Sequence, residues 1–294
     1  MSLNLSGSIP ALVTPFIEGK VDEEALMRLV DWQVTEGSAA LVPCGTTGEA
    51  ATLSIEEHDH VVALTVKAAA GRVPVIAGCG SNDTAVAIHH VARAADAGAD
   101  AALVVCPYYN RPGQRGLLAH FEAVAEASPL PILIYNIPGR TGIDMTTETM
   151  AELARHPKII GVKESTGDIG RISEIRQECG RDFLILSGND HMTLGIIAHG
   201  GHGAISVTAN VAPGLNAAQV GAALRGDFAT ALALQDQLWP LHEALFSDPS
   251  PGPAKYALSL AGRCRPETRL PIPLPSAAAR AKVDAALAHA GLAP

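Results

Sequence analysis

A chain of 294 residues, 48% hydrophobic and 17% charged, has room for one large α/β domain with a small appendage and is too apolar to be disordered. Its net charge of −9 and its lack of any Lys/Arg cluster argue against a nucleic-acid partner, while leaving room for a small anionic substrate in a locally positive site. No apolar run reaches the roughly 18 residues of a membrane span, and the first ten residues carry neither a basic start nor an apolar signal core, so a cytoplasmic protein is expected.

Along the chain, short apolar runs alternate with amphipathic stretches. The first run, residues 11–14, precedes a helix opened by Asp22, with Leu26, Leu29 and Val30 on one face and Gly37 as its stop. Residues 40–43 form the second run, and the spacing of Ser54 and Glu57 then predicts a capping box ahead of Val61 and Leu64. Residues 75–78 lead to a helix that starts at Asn82 or Asp83 and ends at Gly98. Runs at 101–105, 132–135 and 159–163 follow; Asp168 then opens a helix with Ile169, Ile172 and Ile175 that stops at Gly180. Runs at 183–187 and 203–206 complete a set of eight.

Each run has the length of a buried strand and is too short for a core helix. Parallel strands need helical crossovers of the size seen between the runs, so the pattern predicts an α/β fold, a (β/α)8 TIM barrel over residues 1–226. The rival is a doubly wound open sheet, but its Gly-x-Gly-x-x-Gly fingerprint is missing; Gly78-Cys79-Gly80 is only a fragment of it. After Gly226 no strand-like run appears. Residues 228–246 are apolar at helical spacing, 247–253 form a Pro/Ser/Gly turn, and 254–261 and 276–290 have helical character, which predicts a small helical domain over 227–294.

Five cysteines, at 44, 79, 106, 179 and 264, make no Cys-x-x-Cys pair and no disulfide-like framework. Three of them follow apolar runs, where a buried thiol is the ordinary expectation. Eleven histidines invite a metal, but His-Glu-x-x-His is absent. His58, His60, His89 and His90 fall in helical segments with no carboxylate at convincing spacing, so no metal site is expected.

Active sites of such barrels sit at the C-terminal ends of the strands. The second run ends in Cys44-Gly45-Thr46-Thr47-Gly48-Glu49, whose glycines and threonines can form an anion-holding nest or, equally, an ordinary βα turn. Three of the four tyrosines, Tyr108, Tyr109 and Tyr135, stand at strand ends. Tyr135 can act as general acid or base if its hydroxyl faces the barrel axis; an edge aromatic with a satisfied hydroxyl is the alternative. Of six lysines, only Lys163 continues an apolar strand towards the active end. Desolvation there disfavours an ammonium and favours a neutral amine, which adds to carbonyls to form an imine; a lysine snorkelling outward is the plainer reading. Lys163, Tyr135, the Thr46/Thr47 pair and Arg140 together supply a nucleophile, a proton shuttle, relaying hydroxyls and an anion clamp.

These residues, with Pro107-Tyr108-Tyr109-Asn110, Tyr135-Asn136-Ile137-Pro138-Gly139-Arg140-Thr141-Gly142, Gly161-Val162-Lys163-Glu164 and the stretch from Gly200 to Asn210, closely resemble the dihydrodipicolinate synthase (4-hydroxy-tetrahydrodipicolinate synthase) family, within the class I pyruvate-dependent lyases. The match runs nearly end to end. The resemblance implies condensation of pyruvate with L-aspartate 4-semialdehyde on the route to diaminopimelate and lysine. It implies Lys163 as the Schiff-base lysine and Tyr135 as proton donor and acceptor. Thr46 and Tyr109 would be relay partners, Tyr109 reaching a neighbouring subunit's site. Thr47, Ile205 and Gly188 would line the pyruvate site, and Arg140 would hold the semialdehyde carboxylate. A homotetramer (a dimer of dimers) without metal or organic cofactor is implied as well.

The rivals within this chemistry are N-acetylneuraminate lyase and 2-keto-3-deoxy sugar-acid aldolases, which replace the arginine of Pro138-Gly139-Arg140 with groups suited to neutral polyols. A non-catalytic pyruvate-binding paralogue would have lost the lysine, tyrosine or threonine, and all are present. A phosphate-binding isomerase would want its Gly-rich site after the last two strands, whereas Gly200-Gly201-His202-Gly203 precedes the eighth. Lysine-inhibited members of the family bind lysine at a subunit interface near the tyrosine matching Tyr108. This chain keeps Asn82, His58 and Tyr108 but has Val86 in place of the glutamate there, and Ala50 and Ile55 in place of polar or basic residues, so weak or absent inhibition is expected.

Overall fold

The computed structural model describes residue 3 and residues 5–292. Its strands are β1 (Gly7–Pro10), β2 (Phe16–Ile17), β3 (Lys20–Val21), β4 (Ile76–Gly78), β5 (Ala101–Val105), β6 (Ile132–Asn136), β7 (Ile159–Glu164), β8 (Leu184–Ser187) and β9 (Gly203–Ser206). Apart from the small β2–β3 hairpin, they form one parallel sheet in the order β1-β9-β8-β7-β6-β5-β4. Residues 39–43 close the ring between its two edges. Ala39 N donates to Ser8 O, Val42 N to Pro10 O and Leu12 N to Val42 O on one side; Leu41 N donates to Pro74 O, Ile76 N to Leu41 O and Gly78 N to Pro43 O on the other. The fold is thus the (β/α)8 barrel that the alternation predicts.

The predicted first strand is displaced: the ladder runs over Gly7–Pro10, not residues 11–14. Only Ala11 still bridges to Val42, because side chains take over beyond it. Asn210 Oδ1 accepts from Val13 N, and Thr14 Oγ1 donates to Gly48 O. The second run is likewise reduced to two isolated bridges, at Leu41 and Val42.

The helices are α1 (Glu23–Thr35), α2 (Ile55–Ala69), α3 (Thr84–Asp96), α4 (Gly113–Ala127), α5 (Pro138–Thr141), α6 (Thr147–Leu153), α7 (Gly170–Glu178), α8 (Thr193–Ala198) and α9 (Pro213–Leu224), followed after Gly226 by α10 (Phe228–Ala244), α11 (Gly252–Leu260) and α12 (Ala277–His289). Their starts follow the sequence. Asp22 caps α1, Ser54 and Glu57 form the capping box of α2, and Asp83 caps α3. Asp168 Oδ1 accepts from Gly170 N and Arg171 N at the start of α7.

Strand residues alternate between two buried layers. Ile9, Val42, Leu103, Leu133, Tyr135, Leu186 and Ile205 form a cluster inside the barrel. Val104, Ile134, Val162 and Ile185 belong to the other cluster, with the helix residues Leu26, Val61, Val91, Phe121 and Ile172. The barrel interior is a filled core, which leaves the strand ends as the place for chemistry.

Candidate active site

Tyr135 and Lys163 are direct partners in the parallel register of β6 and β7, and Lys163 is opposite Leu186 of β8. Tyr135 and Leu186 face the barrel interior, so Lys163 does too. The Lys163 side chain is 6% exposed as a residue, and its Nζ lies 4.1 Å from the centre of the Tyr135 ring. Gly188 borders the same spot: a Cβ there would stand 3.0 Å from Lys163 Cε and collide with Ser165 Oγ. Ile205 is fully packed in the interior cluster that holds Tyr135. Lys163, Tyr135 and Gly188 therefore meet near the C-terminal ends of their strands, and Ile205 belongs to the same interior cluster as Tyr135.

The outward residues next to this pair are tied to one another. Glu164 follows Lys163 and Asn136 follows Tyr135 in the same register. Asn136 Nδ2 donates to Glu164 Oε2 at 3.2 Å and to Asp144 Oδ1 at 2.8 Å, and its Oδ1 accepts from Met145 N. Arg171 pairs with Asp144 at 2.9 Å and approaches Glu164 at 3.5 Å. Burial pushes the Glu164 carboxyl above its usual value, and Arg171 and the Thr166 and Asn136 hydrogen bonds oppose that shift. Sequence reading did not find this network, because Asp144 of the loop after α5 and Arg171 of α7 meet the strand ends only in the folded chain.

A cavity of about 490 Å³ is lined by Tyr135, Thr46, Arg140, Tyr108 and Val105 among others, whereas Lys163, Thr47, Gly188 and Ile205 do not line it. Arg140, exposed on the short α5, makes no side-chain hydrogen bond or ion pair among the described residues, so its guanidinium is free for an anion. Thr46 is exposed and Thr47 is buried, in a turn bounded by two left-handed non-glycine residues, Cys44 (φ 53°) and Glu49 (φ 56°). Such conformations persist only where surroundings impose them. Thr14 holds Gly48 from one side, and the Cys44 carbonyl sits so close to β4 that a Cβ on Gly78 would collide with it. Within one chain, Tyr109 is not brought to the site: it is 90% exposed with φ 67° and does not line the cavity.

The third support of this turn is a lysine placed, by sequence, in the appendage. Lys255 of α11 is fully buried, and its Nζ lies 2.5 Å from Glu49 Oε1, 2.8 Å from Glu267 O and 4.0 Å from the centre of the Phe16 ring. Burial lowers its pKa, against the Glu49 carboxylate, which raises it. Arg269 N donates to Glu49 Oε2, and the Arg269 guanidinium makes a double 2.6 Å contact with Glu57.

The thiols of Cys44, Cys79 and Cys106 are buried as expected, and desolvation raises their pKa values, Cys106 to about 12. The expectation that the α2 and α3 histidines lack a carboxylate is overturned. Asp59 lies within 4 Å of His58, His89 and His90, since it belongs to the face of α2 that packs on α3. Burial lowers the pKa of His58 and takes that of His90 to about 4.

Residues 4–290 match the model of the dihydrodipicolinate synthetase family. The chain belongs to that family. It is 61% identical over 289 residues to a 4-hydroxy-tetrahydrodipicolinate synthase of Rhizorhabdus wittichii, covering 98% of this chain and 99% of that one. Among solved structures, it superposes with a TM-score of 0.96 on dihydrodipicolinate synthase from Aquifex aeolicus, at 46% identity and over 98% and 99% of the two chains. The chloride-inhibited dihydrodipicolinate synthase from Acinetobacter baumannii, solved in complex with pyruvate, gives 0.96 at 41% identity over 98% and 100%.

Proposed function

We infer that this chain is a lyase, a 4-hydroxy-tetrahydrodipicolinate synthase that condenses pyruvate with L-aspartate 4-semialdehyde. The observation that carries the chemistry is the inward-facing pair of Lys163 and Tyr135 on adjacent strands, 4.1 Å from Nζ to ring centre, with Tyr135 lining the same cavity as an unpaired arginine. Lys163 Nζ adds to C2 of pyruvate, and loss of water leaves an imine. Loss of a C3 proton gives an enamine, whose C3 attacks the aldehyde carbon of the second substrate. The substrate's own amine then displaces Lys163 and closes the ring. Tyr135, beside Nζ, donates and accepts the protons, with Thr46 as relay. Thr47, Gly188 and Ile205 form the pyruvate end, and Arg140 takes the semialdehyde carboxylate.

The covalent imine between Lys163 and pyruvate calls for no metal or organic cofactor. A cytoplasmic homotetramer, with Tyr109 completing a neighbour's relay, belongs to the same proposal; the exposure of Tyr109 in the single chain supports it, since a ring 90% exposed has surface to give to a partner. The test is borohydride trapping with pyruvate followed by mapping of the modified residue, alongside assays with aspartate 4-semialdehyde, N-acetylneuraminate and 2-keto-3-deoxy sugar acids. Trapping at Lys163 with turnover of the semialdehyde alone is expected. Turnover of a sugar acid instead would move the chain to a sister activity.

A further inference from the structure

Helices α2 and α3 each contribute a histidine to the cavity wall, His58 and His90, and Asp59 reaches both. His58 Nδ1 lies 3.7 Å and His90 Nδ1 3.9 Å from the same atom, Asp59 Oδ1, and the two rings are tilted by 33° with centroids 3.8 Å apart. These separations are too long for hydrogen bonds. All three atoms are buried with no hydrogen-bond partner among the described residues. The other carboxylate oxygen is occupied differently: Oδ2 accepts from Arg93 Nε at 3.3 Å and faces His89 Nε2 at 3.7 Å.

The protonation pattern follows from one hydrogen bond. His58 Nε2 is 2.7 Å from Gly78 O, and a carbonyl only accepts, so Nε2 carries the hydrogen and the neutral ring presents a lone pair at Nδ1. That lone pair points at a carboxylate oxygen, which also only accepts. Two buried acceptors facing one another require a cation between them. A protonated His58 and the Nδ1–H tautomer of His90 would still face Asp59 Oδ1 at 3.7 and 3.9 Å, beyond hydrogen-bond range, whereas a metal ion engages all three atoms.

We propose that His58 Nδ1, His90 Nδ1 and Asp59 Oδ1 form a binding site for a divalent transition-metal ion of the zinc type, separate from the lysine chemistry. The three atoms lie within 4.8 Å of one another. Ligand atoms around tetrahedral zinc stand roughly 3.3–3.5 Å apart, so the two pairs to Asp59 close by a few tenths of an ångström and the imidazole pair by rotation of the His90 ring, with His58 staying on Gly78 O. The bond from His58 Nε2 to the Gly78 carbonyl is the outer-shell contact that orients a ligating imidazole. Two nitrogens and one carboxylate oxygen suit zinc, cobalt, nickel or copper better than magnesium or calcium. Both histidines border the cavity, while the three ligand atoms themselves are buried behind it.

Titration of the metal-free full-length protein with Co2+, followed by visible absorption and by displacement with Zn2+, tests the site. One Co2+ per chain is expected, with affinity reduced more than about 100-fold in His90→Leu, since loss of even an outer-shell partner costs roughly 10- to 100-fold. Asp59→Asn should weaken binding as well. Pyruvate trapping at Lys163 should survive in both variants and shows that they fold. No Co2+ uptake by the wild type, or equal uptake by His90→Leu, overturns the proposal. Should trapping fail in the variants, anomalous scattering from a zinc-soaked wild-type crystal decides: a peak among the three atoms supports the site, and no peak there overturns it.

Discussion

Truncating Lys163 and truncating Tyr135 should remove different things. Lys163→Ala takes away the nucleophile, so pyruvate-dependent borohydride trapping should vanish while the fold stays intact. Lys163→Arg should fail equally, because a guanidinium stays protonated and cannot attack a carbonyl. A surviving adduct in either variant would assign the imine to another amine. Tyr135→Phe keeps the ring beside Nζ and deletes only the hydroxyl, so pyruvate binding should persist while turnover drops by about 10²- to 10⁴-fold. Near-normal turnover would mean that a different group carries the proton. Arg140→Ala should chiefly raise the KM for the semialdehyde, given the unpaired guanidinium at the cavity, and a selective pyruvate defect would place it at the wrong end. Lys163 was legible because a cation ending an apolar run is anomalous without a chemical reason. Lys255, more deeply buried, was not, because its partner Glu49 lies 206 residues away and no local pattern joins them.

At the scale of elements, patterns confined to one segment were readable and patterns between segments were not. Ser54 and Glu57 announce the start of α2 because their spacing is itself the capping geometry. The first strand was misplaced because the run 11–14 is as apolar as a strand, yet Asn210 and Thr14 divert its hydrogen bonds. Asp59 escaped notice because the helix period puts it near α3 only once the crossing of α2 and α3 is known. That crossing also bears on regulation. Val86 of α3, Ala50, Ile55, His58 and Tyr108 all line the one cavity, and the single carboxylate among its lining residues, Glu49, is already paired with Lys255. A lysine ammonium docked beside Val86 would lack a countercharge, and a lost charge-assisted hydrogen bond costs roughly 1.5–3 kcal/mol, about ten- to a hundredfold in affinity. Free lysine should therefore inhibit weakly or not at all. Initial rates at saturating pyruvate with lysine titrated to high millimolar check this, and strong inhibition at sub-millimolar lysine would sink it.

Across the whole molecule, α11 and the segment that follows it hold the Thr46/Thr47 turn. Glu49, at the end of the Thr46/Thr47 turn, is gripped by Lys255 of α11 and by the backbone of Arg269, whose guanidinium spans to Glu57 at the start of α2. Breaking a buried pair from one side leaves a charge unpaired, so Lys255→Met should cost about 3–5 kcal/mol of stability in chemical denaturation, and a loss below about 1 kcal/mol would show that Glu49 finds other partners. The Arg269–Glu57 half of the clamp predicts an acid response. Arg269 holds the Glu57 carboxyl at about 2, against an ordinary value of 4.5. A carboxylate favoured in the folded state stabilises it fully above the unfolded value, and that contribution fades as the pH falls from about 4.5 towards about 2. The Glu57 side chain is 31% exposed, so salt should shrink the effect. Melting temperatures measured across that window at low ionic strength should fall more steeply in the wild type than in Glu57→Gln, which has no carboxylate to protonate. Parallel slopes for the two proteins would mean that other carboxylates govern acid unfolding and that this clamp contributes nothing to it.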